Sequence, residues 1–379
     1  MQESKNRLKN YNYLEILKNF LGGSLKKVFS GELVYPRQLE IHLPGDKERA
    51  CDFKCYYCQG GLLNQALGMD EPRALKLIDE IGPDKCEYYI YGGAYTEPLL
   101  NPHLLDFLKV TKKHKVFFGI HTNGSRLKAM ESESGFLTTV FRMMEHKDYV
   151  SVSLDAGTPE SHMKTKNLDK NYFDDIIEGI RMMVKFRDQN PDNPAVRVCY
   201  LMNRFNSSDE EIARIVEITR ELEVDSLRFS IPYDQYGKSF DKVHNYKETV
   251  EVPQNIDYER RLQKYISLDT QQRPFIFYFP PSNQDVDQMN YSQCIYTYYQ
   301  ITLAADGNVY RCSSIGSPTF SYGIIGPIPE TVKELEKMIL KGQDPDFRCF
   351  ECFSHGARCN RMAFEINREF NAIQSIRDA

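Results

Sequence analysis

A parallel α/β fold is predicted, on three observations. Strand-like and helix-like runs alternate six times between Gln38 and Ser230, and parallel neighbours need crossovers of that length. Each strand-like run ends in polar or glycine-rich residues, the composition expected where parallel strand ends converge on a ligand. Hydrophobic residues make up 41% of the 379, enough for a large core and one or two domains.

An amphipathic stretch over residues 13–21, stopped by Gly22 and Gly23, reads as a helix capping the body. Residues 38–43 alternate with period two and form strand one. A helix follows over 70–81, with Asp70 as its cap, Pro72 in the first turn and Gly82 as its stop. Strand two (86–91) leads to a helix at 102–114, and strand three (116–121) to one at 136–145. Strand four (149–154) leads to a helix at 173–189, and strand five (196–201) to one opened by a capping box of Ser208 and Glu211. Strand six spans 226–230. The repeat then lapses, with a helix over 256–266 and an apolar run over 275–279. Asp306-Gly307-Asn308 marks a hairpin between strands at 300–304 and 309–310.

Composition excludes several classes. No apolar run approaches the roughly 18 residues of a membrane-spanning helix. The polar N-terminus lacks an apolar signal core, which points to the cytoplasm. A net charge of −5 offers no broad basic footprint for nucleic acid. Ten cysteines without a secretion signal argue against a disulfide framework. Cys86 and Cys199, alone in apolar runs, read as small buried hydrophobes.

Cys51, Cys55 and Cys58 place three thiolates in one loop after strand one. Held by three cysteines, a 4Fe–4S cluster keeps one iron without a protein ligand, whereas a closed zinc site wants a fourth ligand nearby. Zinc is the alternative for this triplet. The other strand ends supply Gly92 and Gly93, then Thr122, Asn123 and Gly124, then Ser153 and Asp155. Asn203, Asn206 and Ser230 complete one rim.

The cysteine spacing, with Tyr57 before the last thiol, resembles the signature of the radical S-adenosylmethionine (radical SAM) superfamily, and the resemblance covers about residues 38–367. It implies a partial (β/α)6 TIM-like barrel, with SAM chelating the open iron and yielding a 5′-deoxyadenosyl radical on reduction. It also implies that Tyr57 meets adenine, that Gly92 and Gly93 reach the methionine amine, and that Ser153 and Asp155 lie near the ribose. Turn or cap roles are the alternative for Ser153 and Asp155. The family commonly reads Gly-Gly-Glu-Pro, but here Ala94, Tyr95 and Thr96 precede Glu97. Either the loop bulges or another group binds the amine. Glu97, Thr122, Asn123 and Asn203 join the expected cofactor-binding set.

A second cysteine group resembles the SPASM and shorter twitch extensions of that superfamily, a β-hairpin-plus-helix unit. Cys294, Cys312, Cys349 and Cys352 match the twitch pattern for one auxiliary 4Fe–4S cluster, with zinc as the alternative. Cys359 is left over, as an alternative cluster ligand, an inert packed thiol, or a hydrogen donor that would make the enzyme an epimerase. The organisation expected is a helical extension over 1–36, the partial barrel over 37–232, a bridge over 233–290, the auxiliary-cluster unit over 291–367 and a tail over 368–379. Twitch-bearing relatives suggest oxidation or epimerisation of a small polar substrate such as a carbohydrate, aminocyclitol or aminoglycoside. Asp155, Tyr95 and Arg228 are its expected contacts, and a flavodoxin or ferredoxin its electron donor. Peptide maturation and a non-catalytic Fe–S or zinc scaffold are the other readings.

Overall fold

The computed structural model describes residues 23–46, 49–55, 57–58, 67–93, 95–231, 257–269, 271–279, 295–313, 316–318, 323–344 and 347. The six expected strands are β1 (Gln38–His42), β2 (Tyr88–Gly92), β3 (Phe117–Thr122), β4 (Tyr149–Ser153), β5 (Ala195–Leu201) and β6 (Ser226–Ser230). Each runs parallel to the next. The apolar run after them is a seventh parallel strand, β7 (Phe275–Phe279), on β6. The hairpin forms from β8 (Gln300–Leu303) and β9 (Asn308–Tyr310). Its first strand lies parallel to β1, so the hairpin is continuous with the main sheet. β10 (Ile324–Pro327) closes the order β10-β9-β8-β1-β2-β3-β4-β5-β6-β7. Among the described residues the sheet does not rejoin itself, as in a partial barrel.

The helices are α1 (Leu25–Ser30), α2 (Glu71–Ile81), α3 (Leu104–Lys113), α4 (Leu127–Ser134), α5 (Phe136–Met143), α6 (Pro159–Lys166), α7 (Phe173–Gln189), α8 (Asp209–Glu221), α9 (Tyr258–Leu262) and α10 (Val332–Gln343). Asp70 caps α2 as expected, accepting from the Arg73 amide at 3.1 Å. The helix expected over 256–266 shortens to α9, and the one expected over 13–21 lies outside the described residues. α4 was not anticipated. Gly135, at φ +64°, ends it and opens α5, a left-handed turn that glycine makes without strain.

The Ser208 capping box is half made. Ser208 accepts from the Glu211 amide, but the Glu211 carboxylate turns to the start of α6. There it accepts from the Gly157 amide and the Thr158 and Ser161 hydroxyls at 2.7–2.8 Å. Three donors outbid the single amide of Ser208.

Alternation gives the parallel sheet two unlike faces. Ile41, Tyr91, Ile120, Val152, Val198 and Phe229 share one, all buried in the main core. The hydroxyls of Tyr89 and Tyr91 reach helix carbonyls at Ile78 and Phe107, so this is the helix-covered side. The other face carries Glu40, His42, Gly92, His121, Ser151, Arg197, Cys199, Arg228 and Thr302, matched across the strands by register. Cys86 is buried as expected, but Cys199 stands half-buried on this polar face, 3.2 Å from the Ser151 hydroxyl.

At the N-terminal ends of the strands, buried charges tie neighbours together. Arg187 on α7 donates to the Glu223 carbonyl at 2.8 Å and to Asp225 at 3.0 Å, and Asp225 accepts the Val196 amide at 2.8 Å. Its side chain has no exposure. Arg187→Ala should lower the unfolding free energy by about 3–5 kcal/mol, because it leaves Asp225 short of a buried partner. Urea denaturation measures this, and a loss near the ~1 kcal/mol of surface pairs would show the guanidinium to be dispensable.

Candidate cofactor site at the strand ends

The cysteine loop between β1 and α2 is gripped from three sides. From β2, the Glu97 amide donates to the Ala50 carbonyl at 2.9 Å. From β3, Asn123 donates to Asp52 at 2.8 Å, and the Ser125 hydroxyl donates to the other Asp52 oxygen. From β4, Asp155 accepts the Tyr57 hydroxyl at 2.6 Å and the Lys166 ammonium at 2.5 Å. Lys166 also donates to the Tyr57 hydroxyl at 2.5 Å. Within the loop, the Cys58 amide donates to the Cys55 carbonyl at 3.0 Å, a turn that gathers both thiols.

Burial sets the electrostatics. It pushes the Cys51 thiol well up, aided by Glu97 and the two other thiols. It pushes Cys55 to about 12, although Lys166 pulls the other way. Burial alone would depress Lys166, but Asp155 and then Cys55 outweigh it and hold its pKa above the ordinary value. Burial disfavours free thiolate, so these sulfurs stay protonated unless a metal takes the place of the proton.

Three cysteines near enough to oppose one another's ionisation therefore share the pocket. Among the described residues, no three His, Cys, Asp or Glu side chains converge on the position of one metal ion.

The other expected ligands fall into distinct places. Glu97 is buried and fully engaged, accepting from Leu99 N at 3.0 Å, Thr122 Oγ1 at 2.6 Å and Asn123 N at 2.7 Å. Burial nonetheless pushes it up to about 7. It brackets the β2 and β3 loops. Gly93 is exposed at the rim, and a Cβ there would stand 2.2 Å from the Thr96 hydroxyl, so Thr96 packs back against it. Tyr95 is buried, and Asp306 of the hairpin turn adds to the effect of burial in raising its pKa. Asn203 turns the chain after β5, its side-chain oxygen accepting from Phe205 N at 2.9 Å and its own amide donating to Asn206 Oδ1 at 2.6 Å. Ser153 sits half-buried on the polar face, level with Cys199.

Asp155 adopts φ +53° and accepts from Leu201 N at 2.6 Å with its second oxygen, so it binds three elements. Cys312 follows β9 and is half-buried. Cys294, Cys349, Cys352 and Cys359 lie outside the described residues.

Sequence reasoning missed Lys166, Asp52, Ser125, Arg197, His121 and His162. Asp52 carried a signal, since an acid between two cysteines of one loop invites a partner. Lys166 carried none, because α6 buries Ser161, His162, Thr165 and Lys166 and so shows no apolar period. His121 projects from the polar face and bonds the Tyr149 hydroxyl at 2.9 Å. His121 is exposed on that face, and desolvation, with Arg228, Arg197 and His42, lowers its pKa against Glu40. Gly119 makes room for the ring of Tyr149, which would lie 2.3 Å from a Cβ.

Two tests follow from this geometry. Asp155→Ala strands a buried ammonium and should cost about 3–5 kcal/mol, of which adding Lys166→Met restores a large part. Denaturation of the single and double variants decides, and equal losses would show the pair to be uncoupled. His162 lies between the rings of Phe53 and Phe173 with neither nitrogen hydrogen-bonded. Burial, then Lys166, pushes it from 6.5 to about 3. Below pH 6.5 the unfolded chain takes a proton that the folded chain refuses. Stability from the neutral ring is complete above that pH and falls as pH drops, by up to ~1.4 kcal/mol per unit. His162→Leu should remove that slope from the difference in unfolding free energy between pH 7 and 5, and an unchanged slope would refute the assignment.

Comparison with known proteins agrees with this site. Residues 49–216 match the Radical SAM superfamily. A probable GTP 3′,8-cyclase of Thermococcus kodakarensis is 26% identical over 144 residues, 36% of this chain and 41% of that protein. Streptococcus suis SuiB bound to S-adenosylmethionine superposes with a TM-score of 0.53 at 14% identity, covering 76% of this chain and 63% of SuiB. Native anSMEcpe with AdoMet and the Kp18Cys peptide gives 0.52 at 15% identity, covering 90% of this chain and 99% of that one. The chain thus spans less than half of the curated relative and under two thirds of SuiB. Three thiols, Cys55 buried and Cys51 and Cys58 half-buried, at the C-terminal edge of an open parallel sheet and within the matched stretch mark residues 49–216 as a radical SAM superfamily domain.

Proposed function

We propose that this enzyme takes hydrogen from a small polar substrate lying on the polar face of the sheet, and oxidises or epimerises it. The observation that carries the reading is that the cysteine loop follows β1 at the strand ends of a sheet whose polar face bears Glu40, His121, Arg197 and Arg228. Cys51, Cys55 and Cys58 would hold the 4Fe–4S cluster. When bound, cluster and SAM supply a 5′-deoxyadenosyl radical to that face. Gly93 keeps the rim open to the cosubstrate, and Tyr57, fixed by Asp155 and Lys166, walls the pocket. Cys312 with Cys294, Cys349 and Cys352 would hold an auxiliary cluster that accepts the second electron of an oxidation. Cys359 is the hydrogen donor if the outcome is epimerisation. The relative described as a probable GTP 3′,8-cyclase, named for a small polar substrate, supports this class.

A peptide substrate is the second reading. SuiB has been solved with the precursor peptide SuiA, and that structure gives a TM-score of 0.54 at 13% identity over 77% of this chain.

Anaerobically reconstituted protein should bind about eight irons and release 5′-deoxyadenosine from SAM with dithionite. Cys55→Ala should abolish that release, and Cys312→Ala should halve the iron. Loaded protein that releases no 5′-deoxyadenosine would overturn the radical reading; iron unchanged by Cys312→Ala would overturn the auxiliary cluster.

A further inference from the structure

We propose that Asp52 tunes the reduction potential of the cluster at the cysteine loop, its carboxylate being held beside the Cys51 sulfur so as to keep that potential low. The assignment rests on the reading that Cys51, Cys55 and Cys58 hold the cluster. Asp52 acts through a ligand sulfur, which makes it a positioning residue and not a catalytic one. Three contacts meet at that sulfur. The Phe53 amide donates to it at 3.4 Å and Asn123 Nδ2 at 3.7 Å, while the thiol itself donates to Asp52 Oδ1 at 3.9 Å. A protonated thiol is a weak acceptor, so two N–H donors on one sulfur suit a metal-bound thiolate. Metal binding displaces the thiol proton. The contact with Asp52 then changes sign, from donor and acceptor to two like charges.

The carboxylate is fixed in that place. Asn123 Nδ2 donates to Oδ1 at 2.8 Å, and the Ser125 hydroxyl donates to Oδ2. Asn123 is anchored in turn, its amide donating to Glu97 at 2.7 Å and its side-chain oxygen accepting from Ser125 N at 2.9 Å. Both donors to Asp52 are neutral, and among the described residues no ammonium or guanidinium pairs with it. Besides the other two thiols, Glu97 and Lys166 also bear on Cys51. Lys166 is answered by Asp155 at 2.5 Å, and Glu97 is itself an acid, so neither cancels Asp52. One-electron reduction adds negative charge to a cluster without making or breaking a bond. A neighbouring anion opposes that step, whereas N–H donors to the sulfur favour it. Asp52 therefore makes the cluster harder to reduce and, once an external one-electron reductant has loaded it, a stronger donor. The acceptor is the SAM sulfonium, whose C–S bond breaks as it takes the electron.

The test is a potentiometric titration of the full cluster-loaded chain, anaerobic and without SAM, read by electron paramagnetic resonance. The relevant signal is the one that SAM alters in a parallel sample. Asp52→Asn and Asp52→Ala should each favour the reduced state about tenfold or more, roughly 59 mV for one electron. Asp52→Glu keeps the charge and should lie closer to the unsubstituted chain than to either neutral variant, whereas a merely structural role would move all three alike. An unchanged potential in the neutral variants, an equal rise in Asp52→Glu, or failure of both neutral variants to load iron would each overturn the assignment. Should the unsubstituted chain load no iron, or show no signal that SAM alters, the cluster reading beneath it fails instead.

Discussion

Strand pleating governs everything the site does. Successive side chains in a strand face opposite ways, so six parallel strands in fixed register expose the same alternate set on each side. Helices must cover one side because parallel crossovers deliver them there. Burial under them demands Ile41, Ile120, Val152 and Val198, which have no exposure above 1%. The opposite side is released from that demand and carries charge. Parallel direction then sends every strand end to one edge, so the cysteine loop and the charged face meet without any long-range device.

A buried ion pair holds that meeting point together. Asp155 and Lys166 are each 2% exposed at the side chain, a position where desolvation consumes most of the Coulomb attraction. An apolar pair of equal volume would serve stability as well. What it would not do is bind directionally. Asp155 takes Leu201 N on one oxygen and Tyr57 and Lys166 on the other, joining β5, the cysteine loop and α6. Its left-handed backbone, which costs a non-glycine residue about 1 kcal/mol or more, is held by that network.

Much of this was legible in the sequence. Period-two runs located six strands within two residues, Asp70 announced α2, and Gly307 announced the hairpin through its need for φ +87°. Cys51, Cys55 and Cys58 declared the site because their spacing is local. What stayed hidden depends on contacts distant in sequence. The 275–279 run and the hairpin were visible as strands, but their pairing with β6 and β1 is set by packing across some 50 to 260 residues. Glu211 satisfies every local criterion of a capping box, yet spends its carboxylate 50 residues upstream. Cys199 looked apolar among Val198 and Tyr200 because alternation hides its face until the register with Ser151 is known. Asp155 and Glu97 read as free ligands because nothing local shows that their oxygens are already occupied.

The inserted loop after β2 shows how distance and site are connected. Ala94, Tyr95 and Thr96 lengthen the segment between the glycine pair and Glu97, and an unconstrained insertion would let the rim drift. Two anchors oppose that. Glu97 binds Ala50, Thr122 and Asn123, fixing one end to the cysteine loop and β3. Tyr95 is buried near Asp306 and Tyr310 of the β8–β9 hairpin, fixing the middle to the far side of β1. The same hairpin turn holds residues 68 and 69, whose amides donate to the Ala305 carbonyl at 2.8 and 3.0 Å. Both ends of the cysteine segment are thus referred to one turn, and because β8 is hydrogen-bonded to β1, that turn moves only if the sheet does. Rigidity at the rim comes from strand pairing on the side of β1 where no βα unit was expected.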